Sequence, residues 1–248
     1  MYRTAVLLYG VVGYFLGLVG FVLLILLLNG WGLRNMVAVR EDTDVRLWLV
    51  NIVLLLLLLF GLVHSVMAHE RFKARLALSP ALERSSYVLI AGASLALLAL
   101  VWQPLPGVLW RLPPDSVAAW GLNGISALGW LVVFASTCMI SHTDLFGLRQ
   151  SWLQWRERQY TDLPFQVRGF YRLTRHPMMT GMLLAFWFTP EMTAGRLLFN
   201  SGMTLYILVG VYFEERSLLK ALGADYQRYC RHVPMLLPRM GIRNKPTE

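Results

Sequence analysis

An apolar run close to the start of the sequence constrains the fold more than any other feature. Residues 5–28 contain no charged side chain, and about 20 apolar residues in a helix are enough to cross the hydrocarbon core of a bilayer. Inside lipid the backbone must satisfy its own hydrogen bonds, and a helix does this within a single segment. The run therefore predicts a first transmembrane helix.

Further apolar runs follow along the chain. Hydrophobic residues make up 56% of the 248 positions and charged residues only 15%, so most of the chain requires an apolar environment. We expect an all-α fold, an integral membrane helical bundle with five to six transmembrane segments. The segments are predicted at residues 5–28, 45–68, 87–102, 117–140, 177–188 and 194–213. The fifth is short for a span, so we expect it to tilt or to extend into the aqueous edge.

The distribution of basic residues predicts the orientation of the bundle. The N-terminus, the loops at 69–84 and 141–176, and the C-terminal tail are predicted to share one side. They hold 18 of the 23 lysine and arginine residues. Cytoplasmic loops carry the excess of these residues. We therefore expect both termini in the cytoplasm, with the chain in the bacterial inner membrane.

The stretch 169–238 contains the densest group of ionisable and ring-bearing side chains. Arg175-His176-Pro177 precedes an apolar hairpin, and Glu214-Glu215 follows it. Pro177 suits a first helical turn, with His176 at the cap. The free N–H groups of such a helix start suit a carboxylate, whereas paired glutamates suit an ammonium or a sulfonium. S-adenosylmethionine (SAM) is a small ligand that carries both kinds of charge.

The order of these groups resembles that of a known family. Arg-His-Pro near a helix start, then paired glutamates, then Gly223-x-x-Tyr226-x-x-Tyr229, is similar to the membrane methyltransferases grouped around isoprenylcysteine carboxyl methyltransferase. Within that group the likeness is closer to methanethiol S-methyltransferase and the NnrU-like proteins, and it covers roughly residues 45–239. The segments that carry this closer likeness are 64–68, 83–87, 142–150 and 185–190. One departure is Met179, where the family usually has tyrosine.

The resemblance and the local chemistry together give the candidate site residues. SAM is the expected cofactor, and the expected cofactor-binding residues are Tyr171, Arg175, His176, Gly181, Glu214, Glu215, Tyr226 and Tyr229. For the acceptor side we expect His64, His142, Asp144 and Arg149. His64 or His142 would be the general base, since a neutral imidazole accepts a proton near pH 7.

The resemblance implies methyl transfer from SAM to a small thiol, from methanethiol to dimethyl sulfide, with hydrogen sulfide as a second acceptor. We expect a single integral membrane methyltransferase domain over residues 1–248. Residues 1–44 hold the first span and a loop, 45–140 hold spans two to four, 141–239 form the SAM-binding catalytic region, and 240–248 form a tail. The expected partners are the thiol and membrane lipid, and the sequence leaves the oligomeric state open.

Other interpretations of the same residues stay open at this point. Arg175 can be a loop anchor, His176 a helix cap, and the tyrosine pair an interfacial aromatic belt. Arg149 can pair with Asp144 or with a catalytic glutamate. Rival functions are methylation of a phospholipid amine or a prenylcysteine, a non-enzymatic role in nitrogen-oxide metabolism, and membrane redox chemistry. Histidine spacing fits no standard metal motif, two cysteines are too few for a disulfide framework, and the net charge of +9 is ascribed to basic loops rather than to nucleic-acid binding.

Overall fold

The fold is given by a computed structural model that describes residues 1–30, 44–55, 75 and 77–238. In chain order its elements are α1 (Tyr2–Asn29), α2 (Val45–Leu55), α3 (Pro80–Val101), β1 (Val108–Arg111), α4 (Val117–Ile140), α5 (His142–Leu145), α6 (Leu148–Trp155), a 3₁₀ turn (Gly169–Arg172), α7 (Pro177–Trp187), β2 (Glu191–Thr193), α8 (Ala194–Leu222) and α9 (Ala224–His232).

Four of the described helices, α1, α3, α4 and α8, are long and apolar enough to cross a membrane. Two shorter apolar helices, α2 and α7, accompany them. Many apolar side chains on the long helices point outwards, such as Leu131 and Phe134 of α4, as expected for helices solvated by lipid. The expected all-helical membrane bundle is confirmed. The part of the predicted second span after Leu55 lies outside the described residues.

Two helix boundaries differ from the hydropathy-based prediction. Helix α3 begins at Pro80 rather than at residue 87, because the Ser79 hydroxyl accepts a hydrogen bond from the Leu82 amide (3.4 Å) and Pro80 occupies the first turn. Helix α8 continues past residue 213 to Leu222 and ends at Gly223, which has a positive φ of 57°. Glutamate, leucine, lysine and alanine all favour helix in that extension, so Glu214 and Glu215 lie inside a helix.

Close backbone contacts set the direction of α1 relative to α3. A Cβ atom on Gly13 would lie 3.1 Å from the Ser85 carbonyl oxygen, and one on Gly20 would lie 2.0 Å from that of Gly92. From the first contact to the second, the residue number rises by seven in both helices. The two helices therefore run parallel and begin at the same end of the bundle. Helix α6 packs against both starts, where the Ser85 and Ser151 hydroxyls lie 3.2 Å apart.

Helices α4 and α7 pack antiparallel at similarly close range. A Cβ atom on Gly129 would lie 2.6 Å from the Gly181 carbonyl oxygen, and the Ser126 hydroxyl donates to the Ala185 carbonyl at 3.0 Å. The end of α4 therefore meets the start of α7. We call this end of the bundle, which also holds α5, α6, α9 and the starts of α1 and α3, the polar end.

A short antiparallel ribbon of β1 and β2 marks the opposite end of the bundle, which we call the ribbon end. It joins the loop after α3 to the loop after α7, and these two strands are the only ones in the described ranges. Next to it lies an aromatic and aliphatic core, in which the ring centroids of Trp102 and Phe199 are 6.0 Å apart and those of Phe186 and Phe199 are 5.5 Å apart. The core fixes α7 and α8 together, and their polar residues then meet at the other end.

Candidate active site

The start of α7 is held in place by the last described part of the chain, residues 233–236, which we call the C-terminal strap. The backbone N–H of Arg175 donates to the Pro234 carbonyl at 2.8 Å, and that of His176 donates to the Met235 carbonyl at 3.1 Å. The Thr180 hydroxyl donates to the Leu236 carbonyl at 2.6 Å. The strap thereby positions the two residues that precede Pro177, and His176 occupies the N-cap position, as predicted, without a side-chain hydrogen bond to the helix.

Glu215 is the acceptor for both of those side chains. Its Oε1 accepts from Arg175 Nε at 2.6 Å and lies 3.1 Å from His176 Nε2. Arg175 also donates through Nη1 to the carbonyls of Cys230 (3.2 Å) and Val233 (2.5 Å). Burial lowers the pKa of Arg175, but the hydrogen bond and charge of Glu215 outweigh it and raise that pKa overall. Glu215 therefore serves as the internal counter-ion of a largely buried arginine.

Glu214 stands in a different environment from its neighbour. Its carboxylate Oε2 lies 3.5 Å from His176 Nδ1, too far for a good hydrogen bond. The Glu214 side chain is 53% exposed, against 19% for Glu215. Its oxygens remain available to a cation from outside the chain. The paired glutamates of the sequence thus divide into one structural carboxylate and one open carboxylate.

Three tyrosines of the predicted site form a cluster beside these charges. The Tyr229 hydroxyl donates to the Tyr171 carbonyl at 2.6 Å. The rings of Tyr226 and Tyr229 pack against each other and against Phe165, with centroid distances of 5.5–6.0 Å. Burial raises the pKa of Tyr229 to about 12, and it also raises the pKa of Tyr171 and of Tyr226. All three phenols are therefore neutral near pH 7 and cannot act as bases there.

Gly181 and Met179 take part in helix packing. A Cβ atom on Gly181 would lie 2.6 Å from the Gly129 carbonyl oxygen and 3.0 Å from the Val133 amide nitrogen. The close approach that the sequence suggested for Gly181 is thus made by α4. Met179 packs against the aromatic and aliphatic core, so the position at which the family usually has tyrosine is occupied by a core side chain.

His142 lies in a ring-lined position at the polar end. The rings of Tyr14, Phe134 and Phe146 surround it, with centroid distances of 5.8, 5.7 and 4.7 Å. Its Nδ1 lies 2.8 Å from the Thr137 hydroxyl, and its Nε2 lies 3.0 Å from the Tyr14 hydroxyl. Burial lowers the pKa of His142, which keeps the ring neutral at pH 7.

The hydrogen bonds around His142 fix its tautomer. The Thr137 hydroxyl already donates its one proton to the Phe134 carbonyl at 2.7 Å, so His142 Nδ1 must be the donor to Thr137. The lone pair of Nε2 then accepts from Tyr14. Sequence reasoning missed Tyr14, because it lies on the first helix and no local pattern links it to residue 142.

Asp144 and Arg149 pair with each other. Arg149 Nη1 lies 2.7 Å from Asp144 Oδ1 and also donates to the Thr161 carbonyl at 3.0 Å. The Arg149 guanidinium lies over the Tyr160 ring, 5.2 Å from its centroid. Of the two partners that the sequence left open, Arg149 has Asp144, and the pair holds the loop after α6. His64 lies outside the described residues.

Comparison with curated proteins finds relatives over nearly the whole chain. Methanethiol S-methyltransferase 2 of Bradyrhizobium diazoefficiens is 44% identical over 246 residues, which cover 98% of this chain and 93% of that protein. Methanethiol S-methyltransferase of Mycobacterium tuberculosis is 51% identical over 189 residues, covering 75% of this chain and 76% of that protein. Human nurim is 32% identical over 182 residues, covering 70% and 69%.

No family model and no solved structure matches the chain. The three curated relatives match 70–98% of its length, and their names agree with the family likeness seen in the sequence. Identity of this extent over most of the chain shows that the chain belongs to the methanethiol S-methyltransferase family.

Proposed function

We propose that this protein is a SAM-dependent thiol S-methyltransferase that converts methanethiol to dimethyl sulfide, with hydrogen sulfide as a second acceptor. The observation that carries the proposal is the 44% identity, over 98% of the chain, to a methanethiol S-methyltransferase. The matched region covers both segments that meet at the polar end, because it extends over 98% of the chain.

The donor set at the polar end fits SAM. Glu214 offers an exposed carboxylate to an ammonium or sulfonium, while Glu215 keeps Arg175 and His176 in place beside it. The neutral phenol of Tyr171 can add an O–H donor, whereas Tyr229 uses its own on the Tyr171 carbonyl and contributes ring surface together with the buried Tyr226. When bound, SAM supplies an activated methyl group on a sulfonium, which a thiol sulfur displaces in line without a metal.

The remaining task of the chain is to take the thiol proton. We propose His142 for this role, with His64 as the other candidate. Because Tyr14 donates to His142 Nε2, a thiol reaches this base by displacing the Tyr14 hydroxyl, or through it. In the second route the thiol proton moves to the Tyr14 oxygen while the phenol proton moves to Nε2, which leaves a thiolate, a neutral phenol and an imidazolium. A ring-lined position disfavours the charged thiolate by desolvation, so the imidazolium formed at His142 would have to stabilise it.

We further propose that the polar end faces the cytoplasm of a bacterial inner membrane, with both termini on that side. The excess of lysine and arginine at that end supports this orientation. A cytoplasmic site would meet SAM where cells make it, and a small apolar thiol would reach the site from the cytosol or from the bilayer.

The experiment that tests the activity uses purified protein in detergent, isotopically labelled SAM and a panel of methyl acceptors. Methanethiol, hydrogen sulfide, a prenylcysteine and a phospholipid amine represent the competing substrate classes. We expect labelled dimethyl sulfide in the headspace with methanethiol and no labelled lipid product. Turnover of the prenylcysteine or the lipid alone would assign the chain to the other substrate class. Failure to bind SAM would indicate a non-enzymatic role.

A further inference from the structure

A buried cation lies at the ribbon end, far along α8 from the proposed active site. Arg196, in the first turn of α8, is only 5% exposed. Its Nη1 donates to the Leu28 carbonyl in the last turn of α1 at 2.7 Å, but its Nε has no hydrogen-bond partner. None of the described carboxylates lies within ion-pair distance of it, and Glu191 of the nearby ribbon pairs with Arg111.

Two further buried polar atoms near this turn also lack partners. The Trp102 indole Nε1 belongs to a side chain with no exposed surface, and so does the Asn200 Oδ1. Trp102 Nε1 lies 3.5 Å from the point that a Cβ on Gly195 would occupy, so the indole N–H adjoins the residue next to Arg196. Asn200 lies one turn further along α8, where its Nδ2 donates to the Phe186 carbonyl at 2.8 Å.

The chemistry of these atoms selects the kind of ligand. Two are N–H donors, one of which carries a positive charge, and the helix start adds the positive end of the α8 dipole. A buried donor without a partner is costly, and an uncompensated buried charge costs more. Water would complete the hydrogen bonds of the two donors, but it would bring no negative charge to the guanidinium, whose nearest opposing influence is the more distant Glu191. A small anion would accept both hydrogen bonds and would also balance the guanidinium charge.

We propose that the first turn of α8 is a binding site for a small monovalent anion, held by Arg196 Nε and Trp102 Nε1, with chloride as the test ligand. The anion would neutralise Arg196 and so lock the end of α1 to the start of α8. Because the site is at the ribbon end, its occupancy bears on the stability of the bundle rather than on the methyl-transfer step.

The test is the thermal unfolding of the SAM-free protein in detergent, compared in sodium chloride and in sodium gluconate at equal ionic strength. Gluconate is too large for the site, so it controls for charge screening. At a chloride concentration ten times the dissociation constant, linkage predicts a Tm roughly 3–5 °C higher than in gluconate. The shift should saturate as chloride increases. A Tm that is the same in both salts would mean that water fills the site and would overturn the proposal.

Two variants and one control locate the effect. Arg196→Met should abolish the difference between the salts, whereas Arg111→Met, which removes an exposed arginine at the same end, should retain it. If Arg196→Met does not fold, Trp102→Phe decides, because it removes one donor and keeps the cation. We expect the apparent chloride dissociation constant of Trp102→Phe to rise roughly 10–100-fold, as for the loss of one hydrogen bond to a charged group. An unchanged constant in Trp102→Phe, or a retained salt difference in Arg196→Met, would contradict the assignment.

Discussion

The same substitution should lower the stability of the protein strongly at Glu215 and only slightly at the adjacent Glu214. Glu215→Gln removes the charge that balances Arg175, whose side chain is 11% exposed. Loss of one partner from a buried ion pair costs about 3–5 kcal/mol. The lower end applies here, because the glutamine oxygen and the Cys230 and Val233 carbonyls still accept from the guanidinium. For a chain of this length about 3 kcal/mol corresponds to a fall in Tm of roughly 6–12 °C.

Glu214→Gln is the matched control, since it makes the same chemical change one residue earlier. This side chain is about half exposed and makes no close hydrogen bond to His176, so its loss should cost less than about 1 kcal/mol. Its Tm in the absence of SAM should then stay within roughly 3 °C of the wild-type value. Thermal unfolding of the three purified proteins in one detergent measures both effects. Equal losses in the two variants, or a stable Glu215→Gln protein, would refute the division of roles.

Three other predictions concern packing and acid–base chemistry. Met179→Tyr should overpack the core and cost about 1–3 kcal/mol, seen as a lower Tm with little change in turnover of the folded fraction. Gly181→Ala should also destabilise by about 1–3 kcal/mol because α4 blocks its Cβ, whereas Gly124→Ala, which has open space around it, should not; equal Tm values would contradict the packing. His142→Asn should lower the rate with methanethiol by roughly 10²–10⁴ and remove the acid limb of the pH–rate profile, while His232→Asn should retain both. Because burial lowers the pKa of His142, its contribution to stability is present above about pH 6.5 and is lost as the pH falls through the lowered value. The Tm of His142→Asn should therefore depend less on pH in that range, and an unchanged acid limb would mean that the base is elsewhere.

The sequence predicted best what depends on neighbours along the chain. Pro177 after His176 placed the start of α7 correctly, because proline fixes its own φ and restricts the preceding residue. The start of α3 was placed too late, since the prediction followed hydropathy and overlooked the Ser79-Pro80 cap. The end of α8 was placed too early for a related reason. Hydropathy falls at Glu214, but helix propensity does not.

What the sequence could not predict depends on contacts between distant segments. In the ribbon, Trp110 of β1 pairs with Met192 of β2. Both strands are too short to show an alternating hydrophobic pattern in the sequence. Tyr14 contacts His142 only because the start of α1 and the end of α4 lie at the same end of the bundle. The different surroundings of Glu214 and Glu215 follow from the direction in which each side chain leaves α8, and adjacent positions in a sequence carry no sign of burial. Composition and local motifs thus predicted the type of fold, whereas only tertiary packing shows which of the predicted site residues contact one another.

The Glu214 carboxylate at the polar end is proposed to hold SAM while its methyl group is transferred to a small thiol. The most direct measurement follows a trideuterated methyl group from SAM into dimethyl sulfide, with saturating methanethiol, for the wild type and for folded Glu214→Gln. We expect the wild type to give dimethyl sulfide with one labelled methyl. The KM of Glu214→Gln for SAM should rise at least about 30-fold, which corresponds to a lost charged contact of about 2 kcal/mol. Unlabelled product, or the same KM in both proteins, would contradict the claim.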